Sequence, residues 1–425
     1  MAIKKKANLS AVLYNRLVNK HCFIVGVDVS KSQNTAYYTS NQVEIEGKIR
    51  FANYSQGFKK FLDHIRTKAR QIGAEQIIVA LEPTGSYSLP LIYFLDRQPD
   101  ILMVGVNPVL IKRFRQLPDN SPEKSDDKDP ILLTQIVGLR SVITVRAPKG
   151  HHHKLRQWVR ARFQTVDDRT ALLNQLHAVV ALVFPELLML FSTLKRQTVL
   201  ALLQHYPTPA DILRLGVEEL AAFLHRHSRG QLGQKRAQAL VEAAKESAGL
   251  EDCEGYVAYI HSLVQRIQTL NQLIEEYDQQ IDELLAELPL AQFLLSVPGV
   301  GPIVAATLLA EFDGFQNFRY TDQVMKFAGL NLCRRQSGKY VGEIKISKWG
   351  SAFVRRALFL AVTGMVAPGG LFYQQYQAYL RRGKQKKQAL VALMRKLLRI
   401  LFALARDRAY FDPTRLWKHE LRLAA

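Results

Sequence analysis

The sequence predicts an α/β domain followed by a mainly helical region. Three observations carry this reading. Short β-rich apolar runs alternate with helical segments between residues 23 and 108. Isoleucine and leucine then recur every seven residues between 260 and 288. The stretches 151–200 and 208–250 have helical apolar spacing, the second rich in Ala and Leu.

The elements follow in order. "FIVGVDV" (23–29) is a short apolar run and reads as a buried strand. "NTAYYTS" and "EGKIRFANY" read as two more strands linked in a hairpin. "SQGFKKFLDHIRTKARQIG" is helical, with Ser55 placed as its N-cap and Gly73 as its stop. "EQIIVALEPTG" reads as a buried strand, "SYSLPLIYFLDRQ" as a helix and "DILMVGVNP" as a strand. The order βββαβαβ predicts a mixed sheet with helices packed on it. Residues 112–130 are polar and loop-like, and helical spacing resumes at 131–137. Further on, Ile260, Ile267, Ile274, Ile281 and Leu288 form one heptad series, and Leu263, Leu270, Tyr277 and Leu284 a second. That a/d seam predicts a coiled coil and self-association, because one amphipathic helix cannot bury such a seam alone. The competing reading is a long helix lying on the core of its own domain.

A chain of 425 residues with 48% apolar content supports two or three domains with real cores. No apolar run reaches the ~18 residues of a membrane span. The lysines near the N-terminus are not followed by the apolar block of a secretion signal. Cys22, Cys253 and Cys333 lie far apart with no C-x-x-C pair, which fits a reducing cytoplasm better than a disulfide frame or a cysteine zinc site. The 58 Lys and Arg against 37 Asp and Glu give a net charge of +21. A polyanionic partner is the simplest reason for a chain to carry that self-repulsion. An anionic membrane surface competes, but there is no amphipathic terminal anchor or lipidation site, so charge favours nucleic acid.

Four acids stand where acids are otherwise rare. Asp28 ends one apolar strand and Glu82 ends another. If the two strands are parallel neighbours, both side chains meet at one sheet edge. Asp126 and Asp129 lie three residues apart in "KSDDKDPILL", with Pro130 suited to a first helical turn and an aspartate suited to the cap. That spacing puts both on one helix face, which Asp127 does not share. Four carboxylates could hold two hard cations, which phosphoryl transfer uses on the attacking and leaving oxygens. Each acid alone also has a structural role available, as a turn or cap residue. An actin-like ATPase also opens with a strand and an aspartate, but Val29 stands where glycine would be needed and no Walker-type loop is present.

Two further stretches point to phosphate. In "SVPGVGPIVAATLLAEF" (296–312), Gly299 and Gly301 flank Val300 in a turn between helices, a geometry that offers backbone N–H groups to a phosphate. An ordinary helix–turn–helix corner explains the motif equally well. Downstream, Ser337 lies among Arg334, Arg335, Lys339, Lys345 and Lys348, and the following helix carries Arg355 and Arg356. Cations can neutralise a phosphate and so let a serine attack it, although a phosphate contact is the commoner role of such a serine. The three histidines of "HHHK" (151–154) point in different directions on a helix and read as a polar connector. "LFYQQYQAYL" (371–380) could stack on bases, or lie as a half-buried helical stripe.

These residues, taken in order, carry a resemblance. "VGVDVSK", "ALEPTGSY", "NP" at 107–108, "KSDDKDP", "SVPGVGPIVAATLLAEF", "FAGLNL", "RQSGKYVG" and "KWGSAFVRRALFLAV" resemble the DEDD transposases of bacterial insertion sequences, also called bridge-RNA-guided recombinases. The likeness runs from about residue 23 to about 400 and is weaker between 200 and 290. It implies a basic N-terminal extension (1–22), a RuvC-like domain of RNase-H type (23–150), and a helical linker with coiled coil (151–290). It then implies a transposase domain with a helix-hairpin-helix-like element (291–400) and a basic tail (401–425). Asp28, Glu82, Asp126 and Asp129 take the metal-binding roles, with Mg²⁺ or Mn²⁺. Ser337 takes the role of a nucleophile that links covalently to a DNA 5′-phosphate. Gly299, Gly301, Arg334, Arg335, Lys339, Lys348, Arg355 and Arg356 fall to nucleic-acid contacts. Implied partners are donor and target duplex DNA, a structured guide RNA, and other copies of the chain, from dimer to tetramer, with composite active sites. The implied location is the bacterial cytoplasm, at the nucleoid. Pro130 departs from the alanine usual after the last aspartate. Two rival functions are a metal-dependent junction nuclease without covalent chemistry and a non-enzymatic nucleic-acid scaffold.

Overall fold

The computed structural model describes residues 20–83, 85–114, 128–139, 142–333, 336–337, 340–342 and 344–414. Contacts divide the chain into two compact units that meet in sequence at Pro148 and Lys149.

The first unit is built on a six-stranded sheet in the order β3-β2-β1-β4-β5-β6. The strands are β1 (Cys22–Asp28), β2 (Gln33–Ser40), β3 (Glu46–Ala52), β4 (Gln76–Leu81), β5 (Ile101–Val106) and β6 (Val142–Thr144). β1, β4 and β5 are mutually parallel, while β2, β3 and β6 join by antiparallel pairing. Strand alternation sends Phe23, Val25, Val27, Ile77, Val79 and Leu81 to one face. There they pack with helices α1 (Ser55–Gln71) and α2 (Ser88–Leu95). Cys22, Ile24, Ile78, Ala80, Val104 and Val106 go to the other face. After the short helix α3 (Pro108–Phe114), α4 (Lys128–Gly138) covers that second face with Leu133, Ile136 and Val137. Central parallel strands buried on both faces must be apolar throughout, which is why β1 and β4 read as continuous runs rather than alternating ones. Ser55 is the first residue of α1, not its cap; Tyr54 holds the cap position, and the helix begins without a side-chain cap bond. Gly73, at φ 66°, ends the helix as the sequence suggests.

The second unit is helical: α5 (Gly150–Val183), α6 (Pro185–Leu190), α7 (Gln197–His205), α8 (Pro209–His227), α9 (Gln234–Lys245), α10 (Glu254–Ala286), α11 (Ala291–Leu295), α12 (Pro302–Glu311), α13 (Thr321–Phe327), α14 (Ala352–Met365), α15 (Tyr373–Arg381) and α16 (Lys386–Asp407). The long helices α5 and α10 pack on each other and bridge two cores. One core joins the C-terminal half of α5 and the N-terminal half of α10 to α6–α9; the other joins their opposite ends to α11–α14 and α16. Here the expectation drawn from the heptad seam is corrected. Ile260, Ile267, Ile274, Ile281 and Leu288 are all buried, but within the chain, chiefly along α5. The seam needs a partner helix, and the same polypeptide supplies it. It therefore carries no argument for self-association. No helix among the described residues is long and apolar enough to cross a membrane.

Candidate active site

The carboxylates are placed by strand parity. In the parallel ladder Val27 faces Leu81, so Asp28 and Glu82 hold the next register position. Both fall on the α4 side of the sheet by the alternation that puts Ile24 and Ala80 there. Neighbouring strands lie ~4.8 Å apart, and both carboxylates are half-buried. Asp129 joins them on the same face. It lies in the first turn of α4, where the helix dipole favours a negative charge, and it is only 6% exposed. Gly26 lets the helix start come that close. A Cβ on Gly26 would lie 2.0 Å from the carbonyl oxygen of Pro130. Asp126, the fourth acid, lies outside the described residues.

Oxygen donors of this kind suit a hard divalent cation. Among the described residues alone, no three acidic, His or Cys side chains group tightly enough to hold an ion.

Two asparagines that the sequence reading overlooked fix the loops behind these acids. Asn34 is fully buried on β2; its Oδ1 accepts from the Ser30 backbone N–H at 3.1 Å and its Nδ2 donates to Asn53 Oδ1 at 3.1 Å. Asn53 Nδ2 in turn donates to the carbonyls of Ser30 (3.0 Å) and Tyr87 (3.2 Å). The turn after Asp28 and the segment after Glu82 are thereby tied together. A polar residue at an inward strand position was the available signal.

In the second unit, α11, a turn and α12 form a helical hairpin. Val297 and Val300 are buried under it, Gly299 takes φ 89°, and Gly301 caps α12 while exposed. A Cβ on Gly299 would meet Met365 Cγ at 2.8 Å, so the hairpin packs on α14. Between α13 and α14 the chain makes two short antiparallel ladders, β7 (Leu332–Cys333) with β10 (Lys345–Ile346) and β8 (Gln336–Ser337) with β9 (Tyr340–Val341). Ser337 pairs with Tyr340 on the inner ladder. Arg334, Arg335 and Lys339 lie outside the described residues.

The other predicted cations divide in two. Lys348 is exposed, in a left-handed conformation at φ 57°. Arg355 instead holds backbone: its Nη1 donates to the carbonyls of Ala328 (3.1 Å), Gly350 (2.9 Å) and Ser351 (3.2 Å), and burial pushes its guanidinium below the usual arginine range. Arg356 pairs with Asp167 at 2.6 Å and stacks on Phe163 at 4.8 Å. The three histidines go to three partners: His151 to Glu287 (2.8 Å), His152 toward Asp313 (3.8 Å) and His153 to Gln157 (3.0 Å).

The sequence reading missed Glu311. Its side chain is 3% exposed at the end of α12. It accepts from Arg160 Nε at 2.8 Å and Nη2 at 3.2 Å, and from the hydroxyl of Ser351, the N-cap of α14, at 3.0 Å. Arg156 Nε and Nη2 donate to the Ala310 carbonyl at 2.9 and 2.6 Å, satisfying the end of α12. One buried acid thus fastens α5, α12 and α14 together. Removing Arg160 leaves that carboxylate with one hydroxyl. Arg160→Ala is expected to cost about 2 kcal/mol, below the fully buried case because Arg160 is 49% exposed. A thermal melt checks it, and Arg160→Lys should recover part of the loss.

Two family profiles decide the identity. A DEDD transposase profile matches residues 25–185, and the profile of the transposase IS116/IS110/IS902 family matches residues 291–377. The chain belongs to the DEDD transposases of this family. A third profile, a SAM-like helix-hairpin-helix tandem, matches residues 192–246 of the transposase. This is α7–α9, upstream of the 291–400 region to which the sequence reading assigned such an element. The transposase is 24% identical over 417 residues to the protein named for transposition of the IS117 mini-circle of Streptomyces coelicolor, covering 94% of this chain and 98% of that one. It is 27% identical over 292 residues to the 42 kDa protein of insertion element IS900 of Mycobacterium paratuberculosis, covering 68% and 73%. It is 32% identical over 148 residues to a pilin gene-inverting protein of Moraxella bovis, covering 33% and 45%. The transposase is an enzyme of DNA recombination, and its family suggests dependence on a divalent metal.

Proposed function

We propose that this transposase cuts and rejoins DNA through a covalent link to Ser337, with Asp28, Glu82, Asp126 and Asp129 as its metal-binding acids. The observation that carries the reading is the placement of Asp28 and Glu82 in adjacent register on one sheet face, with Asp129 buried over the same face. The strand order, with β2 antiparallel beside three parallel strands, supports an RNase-H-type core for the first unit. Mg²⁺ or Mn²⁺ held by the four acids would supply Lewis-acid stabilisation of charge on the scissile phosphate.

The Ser337 oxygen attacks phosphorus and gives up its proton to a base, the P–O3′ bond breaks, and O3′ takes a proton from water to leave as a 3′-hydroxyl. One phosphodiester is exchanged for another, so a 3′-hydroxyl of a second strand reverses the step without an energy source. Arg334, Arg335, Lys339 and Lys348 neutralise the phosphate, and Gly299 and Gly301 offer backbone N–H groups. Arg355 and Arg356 act indirectly, by holding the loop and helix on which that array stands. A structured RNA encoded by the same element selects donor and target, the chain working in the bacterial cytoplasm as a dimer or tetramer with composite sites. These last features rest on the family resemblance.

Mapping the adduct tests the proposal. Protein, co-purified RNA and supercoiled element DNA are mixed with Mg²⁺, quenched in detergent and digested. Mass spectrometry should find a nucleotide on the peptide containing Ser337, and chelating the metal should remove it. Cleaved DNA whose ends are free of protein would support the junction nuclease instead.

A further inference from the structure

Between Ile344 and Arg406 the sequence holds 13 Lys and Arg and no Asp or Glu. Five of these cations, Arg381, Arg382, Lys384, Lys386 and Lys387, fall within seven residues at the turn joining α15 to α16. Every residue from 381 to 388 is exposed. None of the five cations pairs with a carboxylate among the described residues. Among the described residues their only cation–ring contact is Lys384 over the Tyr379 ring at 5.9 Å.

The turn is built, not loose. Gly383 takes φ 80°; its N–H donates to the Leu380 carbonyl at 2.9 Å, and the N–H of Lys384 donates to the Tyr379 carbonyl at 3.0 Å. Gln385 then caps α16 in a reciprocal box with Gln388. Below the turn, Leu393, Leu397 and Leu401 of α16 are buried in the core shared with α12 and α14. Five like charges are thus held together on a rigid hairpin, at a standing cost in repulsion that an anionic partner would relieve.

We propose that this hairpin tip is a docking site for the phosphate backbone of duplex DNA, separate from the reacting phosphate. The proposal requires only that the transposase acts on DNA, not that Ser337 is its nucleophile. The tip is about 10 Å across, the width of one helix, and a duplex carries one charge per about 1.7 Å of axis, so several phosphates can face it at once. Such contacts position a duplex without reading its sequence. A lipid surface is disfavoured because the apolar face of α16 is already used inside the core, leaving nothing to insert. The tip also lies beyond residue 377, where the family profile ends.

The test is a salt titration of duplex binding by the full chain. Replacing all five residues with alanine should make the slope of log affinity against log salt shallower by about 4, equally for unrelated sequences. Lys384→Arg, Lys386→Arg and Lys387→Arg together should keep the wild-type slope. Removing Lys59, Lys60 and Arg70, exposed cations of α1 on the sheet face away from the acids, should also leave it unchanged. Circular dichroism confirms that the variants fold. A slope that changes by less than about 1 overturns the proposal. So does a loss confined to structured RNA, or one matched by the α1 control.

Discussion

Ser337→Ala is expected to lower strand cleavage by at least about 10⁴-fold while leaving duplex binding intact. Removing a covalent nucleophile takes away the reaction path itself, and a loss of that size corresponds to about 5.4 kcal/mol of transition-state stabilisation. The covalent adduct should vanish with it. Asp28→Asn is expected to abolish cleavage as well, for a different reason: the side chain keeps its shape but loses the charge that makes it a ligand for a hard cation. The pair of variants separates three functions. In the covalent recombinase both are inactive. In a junction nuclease Asp28→Asn is inactive and Ser337→Ala still cuts. In a scaffold neither matters, because the wild type leaves DNA whole in Mg²⁺. The readout is a gel of supercoiled element DNA together with the adduct band. Continued cutting by Ser337→Ala would end the serine assignment.

The placement of the acids was legible because strand alternation is a local rule. "IVGVD" and "IVALE" each end an apolar run on an acid, and parallel pairing puts both acids on one face once the strands are neighbours. The heptad seam was legible too, but only as a stripe. Periodicity encodes that Ile260 to Leu288 need a partner and not which helix provides it; α5 lies about a hundred residues upstream, and nothing local marks it. The same limit hid Glu311, which looks like an ordinary acid at the end of an apolar helix until Arg160 and Ser351 arrive from distant segments. Arg355 and Arg356 illustrate the reverse case. Two adjacent arginines after a basic loop suggest phosphate contacts, yet one binds three carbonyls and the other Asp167. Composition cannot tell a cation held by the fold from one held out to solvent. At the α15–α16 turn the run of charge and the exposure do agree, and there the sequence and the structure point the same way.

Gly26→Ala is the substitution that should cost the first unit most for the fewest atoms added. Its new Cβ would lie 2.0 Å from Pro130 O, 2.9 Å from Leu133 Cβ and 3.0 Å from the Pro130 carbonyl carbon. No rotamer relieves this, because the nearest atom is backbone in the first turn of α4. The helix must back away from β1 by about 1 Å or more, which loosens the contacts of Leu133, Ile136 and Val137 with Ile24, Ile78 and Ala80. Overpacking of this kind typically costs about 1–3 kcal/mol, and a clash against backbone belongs at the upper end. The functional loss should be larger than the loss of stability suggests. Asp129 rides on the turn that moves, while Asp28 and Glu82 stay with the sheet, and an error of about 1 Å between catalytic groups can cost ~100-fold in rate. Gly138→Ala, at the other end of α4, is the control. A Cβ there meets nothing within 4 Å, and alanine favours the helix, so stability should hold or rise slightly. Melting temperatures and cleavage rates of the two variants, measured side by side at saturating Mg²⁺, check the argument. If Gly26→Ala matched Gly138→Ala in both, the packing of α4 against β1 would not be what sets the distance between the acids.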